Sequence, residues 1–119
     1  MGEQIAPGEA RASQEPALFV PLKTEYFRAF ADGTKQTEYR IYGPRWNERV
    51  CRVGRRVVLS NGYGKRERLT GTITAFMSDP LACLDAHTYR EMRALFPKIE
   101  TLTRVACIWI AVDQRMARR

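Results

Sequence analysis

The sequence predicts an α+β domain, a small mixed β-barrel with two or three short helices at its ends. Three observations carry that prediction. The elements read in the order β-α-β-β-β-α-β, which lacks the regular strand–helix alternation of a doubly wound sheet. Asn61-Gly62 stands between two arms rich in Val, Leu, Thr and Ile, a strong tight-turn signal for a β-hairpin. The last strand, "TRVACIWIAV", is apolar on both faces, as a central or barrel strand is.

The elements follow from local chemistry. Residues 1–16, "MGEQIAPGEARASQEP", have almost nothing to bury and read as a disordered leader. They also lack the basic and apolar regions of a secretory signal. "ALFVPLK" is a strand that Pro21, with no N–H to donate, pushes to a sheet edge or a bend. In "TEYFRAFADG", Thr24 is the expected N-cap, Glu25 suits the first turn and Gly33 takes the C′ position. Phe27, Phe30 and Ala31 form the apolar stripe of that helix.

"TEYRIY" is a strand with Glu38, Arg40 and Tyr42 on one face and Tyr39 and Ile41 on the other. "GPRWNERVCRVG" makes a turn closed by Gly54. The hairpin spans residues 55–76, where Gly71 predicts a bulge or a tight corner. Thr88 to Glu91 match a capping box, Met92, Leu95 and Phe96 supply an apolar face, and Pro97 ends the helix. His87 is expected beside Met92 at the mouth of this helix. The folded domain is residues 17–113, and residues 114–119 form a basic tail.

Composition narrows the function classes. At 119 residues and 45% hydrophobic, the chain suits one domain with one core. No apolar run approaches the ~20 residues that span a bilayer. Three scattered cysteines and a single histidine fit neither a zinc knuckle nor a multi-histidine centre, so no metal and no cofactor is expected. A reduced, cytoplasmic protein follows, with a monomer as the expected state.

The formal charge is +7, and the segment from Arg40 to Arg68 accounts for as much by itself: nine basic residues against Glu48 and Glu67. Sixteen of the twenty basic residues are arginine, which suits phosphate contacts and base stacking. Such a stretch is either a solvated surface or a nucleic-acid interface. Interleaved Tyr42, Trp46 and Tyr63 keep the second reading open.

One stretch is more specific. "DGTKQTEYR" carries Gly33, Lys35, Glu38 and Arg40 in the pattern G-x-K-x-x-E-x-R, and it resembles the signature of the ASCH domain, a branch of the PUA-like superfamily. The strand and short helix before it, the strand after it and the "VGRRVVLSNGYG" hairpin are similar too, over residues 18 to 113. The resemblance implies a PUA-like β-barrel with a cleft beside the signature, and RNA or a nucleotide or nucleoside as partner. It also points to a bacterial branch that hydrolyses acetylcytidine with a lysine, a threonine and a separate glutamate. Lys35 and Arg40 match that branch, Glu38 replaces its threonine, and Asp85 or Glu91 lies where the third residue belongs.

The residue chemistry agrees with a site and leaves its reaction open. Lys35 and Glu38 can pair in a partly dry cleft, as base and acid/base partner of a small hydrolase or as ligand contacts. Arg40 can grip a phosphate or carbonyl in fork geometry. Tyr42 and Trp46 can stack on bases, with Arg45 and Tyr63 completing the expected RNA-binding set. The alternative is a surface salt-bridge ladder worth ~0–1 kcal/mol.

Overall fold

A computed structural model describes residues 15–64 and 67–113. The expected basic tail, most of the expected leader and Lys65 and Arg66 of the hairpin tip lie outside the described residues. The elements are β1 (Leu18–Leu22), α1 (Thr24–Asp32), β2 (Thr37–Ile41), β3 (Arg56–Asn61), β4 (Arg68–Pro80), a 3-10 turn (Leu81–Cys83), α2 (Ala86–Leu95) and β5 (Arg104–Val112).

The strands form one mixed sheet in the order β1-β3-β4-β5-β2. Only β1–β3 is a parallel pair; the other three are antiparallel. Pro21 sits in an edge strand, as a residue without an N–H should. The sheet curls into a half-barrel whose two edges are joined by a side chain: Arg40 Nη2 of β2 donates to the Pro21 carbonyl of β1 at 2.6 Å.

Two apolar clusters lie on opposite faces of β5. Ile108 and Ile110 pack with Val20, Leu59 and Ile73 under Phe27 and Phe30 of α1. Val105 and Cys107 pack with Leu81, Ile99 and Met92 of α2. This two-sided burial is why β5 reads as continuously apolar. In β4, Ile73 and Phe76 are three residues apart, so plain alternation would send them to opposite faces. An extra residue, Thr74, enters between the Ile73–Ile110 and Ala75–Trp109 pairs and returns both to the α1 side.

Several local expectations need correction. Gly71 is not the bulge: it pairs in register with Val57 and Val112. Its role is close approach, since a Cβ there would lie 2.7 Å from the Ala111 carbonyl oxygen. The turn after Asn61 is longer than a two-residue hairpin, because the Asn61 N–H bonds to the Glu67 carbonyl. Asn61 Oδ1 instead accepts from Thr24 Oγ1 at 2.8 Å. Thr24 is therefore already helical, and the N-cap is Lys23 with no side-chain cap.

The second helix also begins earlier than its capping-box pattern suggests. Asp85 is the N-cap, and its carboxylate accepts from Thr88 N–H at 3.0 Å and Thr88 Oγ1 at 2.8 Å. Thr88 occupies the third helical position, so Glu91 is not its capping partner. Glu91 pairs with His87 at 3.4 Å, and the His87 side chain is 73% exposed rather than packed on Met92.

Candidate functional site

Lys35 is set in place by the end of α1. Gly33 closes the helix in the left-handed region at φ 88°, where a residue without Cβ carries little strain. Asp32 Oδ1 then accepts from both the N–H and the hydroxyl of Thr34, and the Lys35 N–H reaches back to the Ala29 carbonyl at 3.1 Å. The following residue, Gln36, already accepts a bond from Ile110 N–H. These bonds set the Lys35 backbone in the gap between α1 and β2.

Its ammonium meets three ring faces: Tyr26 at 5.3 Å, Phe30 at 5.5 Å and Tyr39 at 5.4 Å. Rings at this range attract a cation through their quadrupoles. Glu38 Oε1 lies 3.7 Å away, and Glu38 Oε2 accepts from Arg40 Nε at 2.7 Å. Glu38 and Arg40 share a face because they are two residues apart on β2. The Arg40 guanidinium lies 4.6 Å over the Trp46 ring. Glu38 is a buried acceptor between two cations, and Arg40 links it to β1 and to Trp46.

Lys35 lines a cleft of ≈ 540 Å³ between α1, β2 and the start of α2. Tyr26, Thr37, Tyr39, Asp85, His87 and Glu91 are among its walls. Burial raises the Tyr26 hydroxyl above its ordinary range, and the charges of Glu91, Glu25 and Glu38 add to the effect. Burial also raises Tyr39. Asp85 is held low, first by the Thr88 N–H and then by its hydroxyl. The rim is therefore a ring of hydrogen-bond acceptors and phenols around one lysine.

The other expected residues sit elsewhere. Glu38 and Arg40 face a smaller adjoining hollow of ≈ 210 Å³ beside Tyr26 and Phe96. The Tyr42 hydroxyl donates to Glu48 at 2.6 Å, which raises Tyr42 and lowers Glu48. Arg45 is exposed in the Gly43–Trp46 turn. Tyr63 is 78% exposed and lines a separate hollow with Pro21, Lys23 and Arg40. Sequence reasoning missed Tyr26 and Tyr39 because the aromatic stripe of a helix and a strand looks the same whether it lines a core or a cleft.

Much of the basic segment is committed to the fold. Arg52 and Arg55 pair with Glu15, Arg55 also donates to the Val50 carbonyl, and Arg56 pairs with Asp113. Among the described residues, no group of three or more His, Cys, Asp or Glu side chains is placed to hold a metal. No described helix is long and apolar enough to cross a membrane.

The shape of the molecule is similar to a known one. The crystal structure of a point mutant of ZmASCH, from Zymomonas mobilis, matches with a TM-score of 0.52 over 78% of this chain and 66% of that chain. The fold is ASCH-type and PUA-like. The sequences are 15% identical over that match, so the likeness carries the architecture and not the chemistry. The likeness thus leaves about a third of that chain unmatched. No protein-family model matches the sequence, and no curated protein does.

Proposed function

We propose that the protein is an RNA- or nucleotide-binding module that seats a nucleoside in the cleft beside Lys35. The observation that carries this reading is the placement of Lys35, its ammonium against the Tyr26 and Tyr39 rings, in the wall of a cleft of ≈ 540 Å³. That volume falls within the ~300–1,000 Å³ typical of small-molecule sites. The cleft offers one cation for a carbonyl or phosphate oxygen, and acceptors at Glu25, Asp85 and Glu91 for exocyclic amines or sugar hydroxyls. Its acidic rim favours the neutral base and ribose inside. Phosphates then lie outside, where the exposed Lys23, Arg45 and Arg49 make no ion pair with any described residue.

The test is filter binding of single-stranded RNA at two salt concentrations, with wild type and Lys35→Ala. Affinity should fall steeply with salt because bound phosphates release counterions. Lys35→Ala should weaken binding about tenfold, as expected for one desolvated charge-assisted hydrogen bond. No binding at low salt, or full affinity in the variant, would sink the reading.

A second reading is a small hydrolase acting on a modified nucleoside such as acetylcytidine, or on RNA. It is favoured by the titratable groups that face Lys35 across one cleft: Tyr26, Asp85 and the His87–Glu91 pair. In that reading Lys35 and Glu38 keep their catalytic assignment, with Glu38 acting from behind Lys35, since it is not among the cleft walls. Turnover of acetylcytidine or strand cleavage, lost in Lys35→Ala, distinguishes it from binding alone.

A further inference from the structure

We infer that a second nucleic-acid contact lies outside the Lys35 cleft, a stacking platform for an unpaired base built from Tyr63 and Phe19 and flanked by Lys23 and Arg68. It rests on the reading of the protein as an RNA binder and extends the strand's path beyond the nucleoside cleft.

Two aromatic rings stand together in the open. Tyr63 is 78% exposed and Phe19 37% exposed, with ring centroids 6.2 Å apart and planes inclined at 51°. Fully burying a side chain of Phe size is worth ~1.5–3 kcal/mol, and these two rings forgo much of that gain. A cation lies against one of them. The Arg68 guanidinium lies 5.3 Å over the Phe19 ring and is steadied by the Gly64 carbonyl at 3.1 Å.

Tyr63 also walls a hollow of ≈ 300 Å³ that includes Pro21, Leu22, Lys23 and Arg40, and none of its lining residues is acidic. This differs from the Lys35 cleft, whose rim carries three carboxylates. Of the described acids around it, Glu67 is engaged by Arg28 at 2.8 Å and by Asn61 Nδ2 at 3.3 Å, and Glu38 by Arg40 at 2.7 Å.

The platform is held by its turn. Gly62 takes φ 83°, its N–H donates to the Leu22 carbonyl at 2.9 Å, and its carbonyl accepts from Ser60 Oγ at 2.6 Å. The backbone that carries Tyr63 is thus tied to the end of β1, and a backbone held in place lowers the entropy cost of stacking. An exposed ring beside cations such as Lys23 and Arg68, which make no ion pair with any described residue, is what sequence-tolerant single-strand recognition requires: the ring takes the base face and the cations take the phosphates. A nucleotide fits with its base against Tyr63 and Pro21 and its phosphate at Lys23.

The experiment uses the full chain and a fluorescent single-stranded RNA of twelve nucleotides, titrated across a salt series. Cytidine alone is titrated in parallel. Tyr63→Ala should weaken the oligonucleotide roughly tenfold, the equivalent of one stacked base, with an unchanged salt slope. Tyr63→Phe should retain wild-type affinity. Lys23→Gln should lower the salt slope by about 0.7, the value for one phosphate contact on a single strand.

Cytidine binding should be unaffected by Tyr63→Ala. If Lys35→Ala has no effect while Tyr63→Ala still weakens the oligonucleotide, the platform stands and the nucleoside cleft fails. Equal oligonucleotide affinity in Tyr63→Ala and wild type overturns the platform and leaves the cleft intact. A Tyr63-dependent preference for an oligoglutamate peptide over RNA also overturns it, as does a wild type that binds no RNA at low salt.

Discussion

Glu38 lies between two cations, 3.7 Å from Lys35 and 2.7 Å from Arg40, with only 9% of its side chain exposed. Losing a fully buried charge partner costs ~3–5 kcal/mol because the remaining charge is left unpaired in low dielectric. Lys35 and Arg40 are 19% and 21% exposed, so solvent relieves part of that cost. Glu38→Gln should therefore lower the free energy of unfolding by about 2–3 kcal/mol, read from urea denaturation. A loss below ~0.5 kcal/mol would mean that the three charges are a solvated surface ladder.

The juxtaposition of Lys35, Glu38 and Arg40 was legible in the sequence because it needs only a helix stop at Gly33 and strand alternation after it. The rings around Lys35 were not. Tyr26 is nine residues away on another element, and Tyr39 lies on the strand face opposite Glu38. Nothing local says that α1 and β2 meet closely enough for both rings to reach one ammonium. Tyr42 was placed beside Arg40 by the same alternation, but β2 ends at Ile41 and the chain turns it to Glu48.

At the scale of elements, the end of the sheet is tied by one carboxylate. Asp113 follows β5 and accepts from Arg56 of β3 at 3.0 and 2.5 Å and from Thr70 of β4 at 2.5 Å. Those bonds, Arg56 first, hold its carboxyl at about 2 instead of the ordinary 3.8. A carboxyl whose folded value is depressed stabilises the fold above the ordinary value and stops doing so as pH falls through about 2.

Both partners are about two-fifths exposed, so screening limits the contribution to about 0.5–1 kcal/mol. Asp113→Asn should lower the melting temperature by about 2–8 °C at pH 7, with the difference shrinking as pH approaches 2. A difference constant from pH 7 to pH 2 would assign the effect to packing instead of charge.

Elements were easier to foresee than their ends. The order of strands and helices, the edge position of β1 and the buried β5 followed from Pro21 and from apolar patterning. The start of α2 did not, because "DAHTYRE" offers two cap residues three apart, Asp85 and Thr88. The hydroxyl and N–H of Thr88 both serve the Asp85 carboxylate, so the earlier residue wins. The bulge at Thr74 left no mark either, because the sequence there has no glycine. Gly71, which looked like the bulge, answers instead to the Ala111 backbone pressed against it.

At the scale of the molecule, the local excess of arginine looked like a single basic face, and the fold divides it. Arg40, Arg52, Arg55 and Arg56 each hold a carboxylate within the fold, whereas Lys23, Arg45 and Arg49 remain open at the surface. Which arginines meet an acid depends on contacts across the sheet, such as Arg56 to Asp113, that charge counting along the chain does not reveal.

Beside the small hollow that Glu38 and Arg40 face, the half-barrel presents two larger ones of different character. One is rimmed by carboxylates around Lys35, and the other is bounded by Tyr63, Lys23 and Arg40. A neutral base and ribose suit the first, and a charged backbone with a stacked base suits the second. Arg40 lines the second hollow and also closes the seam between β1 and β2, where its guanidinium donates to the Pro21 carbonyl.

The central claim is that the Lys35 cleft takes a nucleoside. The most direct measurement is an amide chemical-shift titration of the ¹⁵N-labelled protein with cytidine and adenosine. Saturable shifts are expected at Lys35, Gln36, Thr37 and Tyr39, around Tyr26 in α1 and around Asp85 to Thr88 at the start of α2. They should vanish in Lys35→Ala while the rest of the spectrum stays that of a folded protein. Saturable shifts confined to residues away from these segments, or none at millimolar nucleoside, would contradict the account.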